Sequence, residues 1–408
     1  MPEFLDLRIG PPAHGGHCVA RHEGRVIFVR HTAPGELVRV QITATTARYQ
    51  RGDAVHVLQA APDRVPTRWP EAGPGGVGGG ELAHLRLPAQ REWKRQVLLD
   101  TLARIGHLDA EHPALAGVQV QALPGDQEND GLHYRSRISL HADEDGRAGM
   151  YGHRSHRIHP LAQMPLADQR ILAAGVLTTR WPARSRIEAV APSAGEVSFF
   201  VNGEPWRQQR RRVREQVLLD DGQVLDYRLA GTGFWQVHTR APQVLVQAVL
   251  AAARIEAGSQ VLDLYSGAGL FTTPLARATG QTGRVHAVEG DAQAASDARR
   301  NAHGQKQISL HSGGVQQVLG AAGPTGSVVV LDPPRAGAGP EVMAQILTAG
   351  GRAQRAPERV VYVACDPAAL ARDVASAAEH GYELVSLRAL DLFPHTHHME
   401  CVAVLSPR

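Results

Sequence analysis

Apolar and polar residues alternate with a period of two through the first sixty positions. In Arg25–Val29 and Leu37–Ile42 every second side chain is apolar, and Pro34-Gly35 stands between the two runs. That pattern marks short strands, and several short strands in close succession predict a small barrel over residues 1–62. The glycine- and proline-rich stretch PDRVPTRWPEAGPGGVGGGELAHL then predicts a loop. The period changes next. Behind Pro88, the residues Trp93, Val97, Leu98, Leu102 and Ile105 recur at helical spacing, and Gly106 follows. Proline at the start and glycine past the end complete the prediction of a helix. Alternation returns between 131 and 240, with Asp145-Gly146 and Asp221-Gly222 as hairpin turns.

From about 241 helices and strands take turns. The pattern predicts helix 241–254, strand Val261–Tyr265, helix 270–278, strand Val285–Val288, helix 291–303 and strand Ile308–His311. Strand Val328–Leu331, a helix near 340–349, strand Val360–Ala364, helix 367–379 and strands 382–389 and 400–405 follow. Such alternation builds a parallel sheet with helices on both faces. The chain thus divides into a barrel (1–62), a central mainly-β region with a loop and a helix (63–240) and an α/β domain (241–408).

Composition narrows the class. With 43% hydrophobic and 20% charged residues the chain reads as an ordinary globular protein, not collagen, coiled coil or mostly disordered. No apolar run approaches the roughly 20 residues of a membrane span, and MPEFLDLRIG lacks the layout of a signal peptide. Cys18, Cys365 and Cys401 are too few and too scattered for a disulfide framework or a thiolate metal cluster. A cytoplasmic chain, free of membrane and acting as a monomer, is expected.

Charge becomes informative once it is divided. The total is +3, yet residues 131–240 hold 16 basic against 11 acidic side chains, while the flanking segments each stand at −1. Arg207, Arg210, Arg211, Arg212 and Arg214 crowd into WRQQRRRVRE beside Trp206. This stripe suits a phosphate backbone or, equally, a solvated strand edge.

In doubly wound sheets ligands bind at the carboxyl ends of strands. The first such strand holds Asp263 and ends in a turn carrying Gly267 and Gly269. A pyrophosphate fingerprint needs a third glycine at position 272, where threonine stands, so a dinucleotide is disfavoured. Glu289 ends the second strand, placed for two ribose hydroxyls. An adenosine ligand without a diphosphate, as in S-adenosylmethionine, suits this set. Asp332 follows the fourth strand in DPPR, where Arg335 replaces the aromatic residue expected of an exocyclic-amine methylase. Cys365 follows the fifth strand, immediately before a helix start that favours thiolate. Glu400 opens the last strand. His395, His397 and His398 precede it, and without further ligands at suitable spacing they read as a turn and not a metal site. One nucleophile, one base and one methyl donor in one cleft fit methylation at pyrimidine C5. A thiolate on C6 makes C5 nucleophilic, and a base then removes the C5 proton.

LDLYSGAGLFTTPLA, VEGDAQAASDARRNA, LDPPRAGA, VYVACDPAALARD and LFPHTHHMEC together resemble the successive motifs of the RNA uracil-C5 methyltransferase family. The resemblance spans the chain. It implies a Rossmann-like class I methyltransferase domain, an N-terminal OB-like TRAM barrel and a central RNA-binding region. It implies Cys365 as nucleophile, Glu400 as base, and Gln236, Tyr265, Glu289 and Asp332 in the donor site, Asp332 at its junction with the substrate. YRSRISLH and GHRSHRI, with Arg135, Arg137 and Arg154, resemble the RNA-facing region. S-adenosyl-L-methionine is the implied cofactor and RNA the partner. Base flipping is expected, with Trp235 or Phe393 as candidates to replace stacking. Many relatives hold an iron–sulfur cluster on four cysteines. Here the later two loop positions fall at Val77 and Gly80 and the fourth at Met164, so no cluster is expected. Asp366 and Leu270 replace residues that are usually asparagine. The TRAM-like barrel leans toward 23S rRNA, with a tRNA T-loop uridine as the alternative. A cytosine-C5 enzyme would carry a second cysteine where Asp332-Pro333-Pro334 stands. A non-catalytic RNA-binding protein of degenerate fold is opposed by the presence of both Cys365 and Glu400.

Overall fold

The alternation near the N-terminus places Ile27, Val29, Val38 and Val40 inside, all fully buried. They belong to strands Arg25–Arg30 and Leu37–Thr45 of a six-stranded sheet. Its order runs Phe4–Arg8, Leu37–Thr45, Tyr49–Gln59, Arg25–Arg30, His17–His22, Pro12–Ala13. The chain leaving Phe4–Arg8 bonds back to the far side of the sheet, with Gly10 N–H on the Val19 carbonyl at 2.8 Å and Val19 N–H on that of Pro11 at 2.9 Å. These bonds curl the sheet into a barrel. The computed structural model describes residues 3–153, 155–321, 326–348 and 356–408. Arg154 lies outside them.

The expected helix runs Leu87–Arg104. Trp93 and Val97 pack into the barrel core, whereas Leu98 and Leu102 join the core of the C-terminal domain. Ile105 falls past the helix end and is 37% exposed, so it is no part of the apolar stripe. The central β region forms an antiparallel sheet ordered Ile158–Pro160, Ala148–Tyr151, Arg137–Ala142, Arg186–Val190, Ser198–Val201, Glu204–Pro205. The hairpin Arg212–Leu218 and Val224–Ala230 stands apart from that sheet. It rests on helix Ala292–Asn301, with Ala230 N–H on the Asp297 carboxylate and Arg228 N–H on Asn301 Oδ1, both at 2.8 Å. Segment 63–240 therefore supplies parts to three bodies.

The C-terminal sheet has eight strands in the order Ile308–Ser312, Arg284–Glu289, Gln260–Leu264, Val328–Leu331, Arg359–Ala364, Glu400–Pro407, Tyr382–Leu390, Val120–Gln121. Glu400–Pro407 runs antiparallel to both neighbours. The first five strands are parallel, and their buried runs of valine and leucine suit a sheet covered on both faces. The strand order reverses between Gln260–Leu264 and Val328–Leu331, which opens a crevice at their carboxyl ends. Val120–Gln121, contributed from the central segment, completes the far edge.

Candidate active site

Two sets of residues face each other across that crevice. On one side Asp263 lies in strand Gln260–Leu264, 1% exposed. Thr272 Oγ1 donates to its Oδ2, while Oδ1 is buried with no partner among the described residues. Burial, reinforced by Glu289, pushes its carboxyl up to about 7. Tyr265 follows with φ +60°, then Gly267 with +56° and Gly269 with +93°. A Cβ added at Gly267 would meet nothing within 4 Å, so bare backbone faces open space there. Gly267 N–H donates to Glu289 Oε2 at 2.8 Å, and Asp291 N–H donates to Oε1 at 2.6 Å, which fixes the carboxylate at its strand end. An unpartnered buried oxygen, an open glycine cradle and a fixed ribose-type acid fit a donor such as S-adenosylmethionine.

On the other side stand Asp332, Cys365 and Glu400. Asp332 follows strand Val328–Leu331, and burial with the Asp263 charge pushes its carboxyl up to about 7. Ala364 is paired with Cys401, so Cys365 leaves one strand beside the point where Glu400 enters the next. Burial, aided by Asp332 and opposed by Arg335, raises the Glu400 carboxyl well above its usual value. Burial, with Glu400 and Asp332, also pushes the Cys365 thiol up to about 12, again opposed by Arg335. The DPPRAGAG loop is held in place by Asp373, which accepts Ala338 N–H at 2.8 Å and the Tyr362 hydroxyl at 2.5 Å. A side chain at Gly337 would strike that carboxylate, at 2.7 Å from Cβ.

The turn before Glu400 is positioned by the long helix. Gln90 accepts His395 N–H at 2.7 Å and donates to the Leu85 carbonyl at 2.8 Å. Lys94 is wholly buried, pairs with Asp391 and donates to the Phe393 carbonyl at 3.0 Å. His395 Nε2 meets the Asp130 carbonyl at 2.8 Å, and His397 faces Glu81 at 3.6 Å. The histidines thus serve the turn. Among the described residues no group of three or more His, Cys, Asp or Glu is arranged to hold a metal. Gln236 lies buried in Phe234–His238. That segment is tied down by Trp235 against Tyr227, whose hydroxyl donates to the Leu270 carbonyl at 3.1 Å, and by His238 on Asp126 at 3.0 Å. Trp235 is 4% exposed, too deeply buried to stack on a flipped base, whereas Phe234 beside it is 74% exposed.

Residues 3–55 match the TRAM domain family, and residues 325–408 match the family described as tRNA (Uracil-5-)-methyltransferase. A Streptomyces avermitilis protein named as an uncharacterized RNA methyltransferase is 38% identical, over 100% of this chain and 99% of its own length. The chain belongs to the RNA (uracil-5-)-methyltransferase family. The 23S rRNA (uracil(1939)-C(5))-methyltransferase RlmD of Shewanella amazonensis is 29% identical over 99% of this methyltransferase and 96% of itself. The fold is shared with the Pyrococcus abyssi tRNA (uracil-54, C5)-methyltransferase, solved with S-adenosyl-L-homocysteine. The TM-score is 0.67 at 23% identity, covering 98% of this chain and 99% of that one.

The arginines of this methyltransferase divide by environment. Arg137 is 9% exposed and bonds Glu215 at 3.0 Å and the Gly231 carbonyl at 2.9 Å, so it braces the central sheet and does not face RNA. Arg212 pairs with the buried Asp297, docking the hairpin, and Arg211 pairs with Glu204 at 2.6 Å. Arg207 and Arg210 are exposed, Arg207 lying over Trp206, and Arg135 is half-buried. Asp373 and Asp126 carried no signal in the sequence. Gln90 and Lys94 did, since they fall at four-residue spacing on the helix face of the buried Leu98 and Leu102.

Proposed function

We propose that this chain methylates C5 of a uridine in RNA, with S-adenosylmethionine as donor and a covalent Cys365 adduct on the path. The observation that carries this reading is the side-by-side placement of Cys365 and Glu400 across the crevice from the Asp263–Glu289 cradle. When bound, S-adenosylmethionine supplies an electrophilic sulfonium methyl group. Cys365, having released its proton to solvent, forms a sulfur–carbon bond to uracil C6 through its thiolate, and the C5=C6 electron pair shifts to leave C5 nucleophilic. Once C5 is substituted, Glu400 takes the C5 proton. The C–H pair restores the double bond and the sulfur–carbon bond breaks, returning thiolate. A raised carboxyl pKa makes Glu400, once ionised, a stronger base than a surface carboxylate.

The TRAM barrel and the RlmD relative favour 23S rRNA. The fold shared with the P. abyssi enzyme supports a tRNA T-loop uridine as the second reading. Arg135, Arg207 and Arg210 are proposed to meet the RNA, in the cytoplasm, with the chain acting as a monomer. Val77 and Met164 are buried in one apolar cluster with Trp69 and Ala72, and Gly80 leaves only 2.7 Å between an added Cβ and that of Ala72. This packing supports the absence of an iron–sulfur cluster.

Mapping 5-methyluridine in total RNA from a deletion strain tests the function. One or more modified positions should disappear and return with the wild-type gene. Complementation with Glu400→Gln should restore no free 5-methyluridine and should instead trap methylated RNA on the protein. An unchanged map would defeat the proposal, and full turnover by Glu400→Gln would remove that residue from its role.

A further inference from the structure

The barrel loop between strands Pro12–Ala13 and His17–His22 reaches the catalytic edge of the C-terminal domain. Gly15 and Gly16 carry it there with φ of +90° and +80°. A Cβ at Gly16 would lie 3.2 Å from Glu81 and from His397, so the loop sits directly on the turn that leads to Glu400. At its tip His14 Nε2 stands 2.9 Å from Asp366 Oδ2. Asp366 follows Cys365 and caps helix Pro367–Glu379, its Oδ1 accepting Ala368 and Ala369 N–H at 2.9 Å each. One carboxylate thus joins the helix start, the residue after the cysteine and the barrel.

We propose that His14 is a positioning residue for Cys365, its imidazolium holding Asp366 and screening that carboxylate from the neighbouring thiol. The proposal rests on the reading of Cys365 as nucleophile. Several charges face the pair. Arg372 opposes protonation of His14, and Glu400, Asp332 and Asp366 disfavour the Cys365 thiolate while Arg335 favours it. The Asp366 hydrogen bond outweighs both burial and Arg372 and raises the imidazole above its usual value. Burial alone would raise the Asp366 carboxyl, but His14 and the two backbone donors bring it down to about 2. The ion pair is therefore present in mildly acidic to neutral solution and lost as pH rises through the His14 pKa.

Iodoacetamide labelling of Cys365, read by peptide mass spectrometry from pH 6 to 9, tests this. Cys18 and Cys401 are buried and serve as internal controls. His14→Ala should slow labelling about threefold to tenfold at pH 6, with the ratio to wild type approaching one at pH 9. His14→Gln, which keeps a hydrogen-bond donor without charge, should follow His14→Ala and guards against a folding defect. In an Asp366→Asn background both substitutions should have no effect. A ratio of one at pH 6, a ratio constant with pH, or an effect that survives in Asp366→Asn would each overturn the proposal. Normal labelling behaviour together with failure to form RNA adducts would reject the nucleophile reading and leave this coupling standing.

Discussion

Asp263 shows how a single carboxyl ties the site to solution pH. It is buried with one oxygen on Thr272 and the other without a partner among the described residues, and burial with the Glu289 charge pushes it up to about 7. An unfolded aspartate titrates near 3.9. Between those values the native chain holds a proton that the unfolded chain has released, so this group makes stability fall as pH climbs from about 4 through 7. Asp263→Asn carries no charge at any pH. Its stability relative to wild type should therefore improve by about 2 kcal/mol between pH 5 and pH 8, read from thermal melts at the two pH values. A pH-independent difference would contradict that assignment. At this scale the strand-end placement was legible, because Asp263, Glu289, Asp332, Cys365 and Glu400 each stand in or beside the last or first positions of strands that periodicity exposes. The arginines were not. A run such as WRQQRRRVRE gives no hint that Asp297, far along the chain, takes one of its members.

Among the elements, helix Leu87–Arg104 matters most to the site although none of its residues is placed in the reaction. Its apolar positions were legible from their spacing, and Gln90 and Lys94 fall on the same face, but the partners that bury them were not legible. Gln90 and Lys94 are buried because the turn from Asp391 to Met399 brings exposed backbone and a carboxylate against them. Burial lowers the Lys94 ammonium pKa, with Asp391 opposing. Lys94→Met would leave Asp391 charged and unpaired in the interior, a change that costs about 3–5 kcal/mol. It should lower the melting temperature and, by loosening the turn that presents Glu400, depress methyl transfer. Adding Asp391→Asn should recover much of the stability. A Lys94→Met protein as stable and active as wild type would refute the anchoring role.

Over the whole molecule, the barrel, the central sheet and the α/β domain meet around one crevice. The barrel sends His14 to Asp366, the central segment sends a strand to the large sheet, and the hairpin clasps helix Ala292–Asn301. Domain order and fold class were legible in the changes of hydrophobic period. The contacts between bodies were not, since they depend on pairs of residues up to 352 positions apart. Part of the charge excess of residues 131–240 is taken up by a partner outside the segment, Asp297, while Arg207 and Arg210 stay at the surface.

The central claim is that Cys365 bonds to C6 of the target uracil. Fluorine at C5 cannot leave as a proton, so RNA carrying 5-fluorouridine should arrest the reaction after methyl transfer with the RNA still attached. Incubated with S-adenosylmethionine, wild-type protein should form a denaturation-resistant complex whose digest carries the modified nucleotide on the Cys365 peptide. Cys365→Ala should form none. An adduct that persists unchanged in Cys365→Ala, or that maps to another residue, would contradict the account.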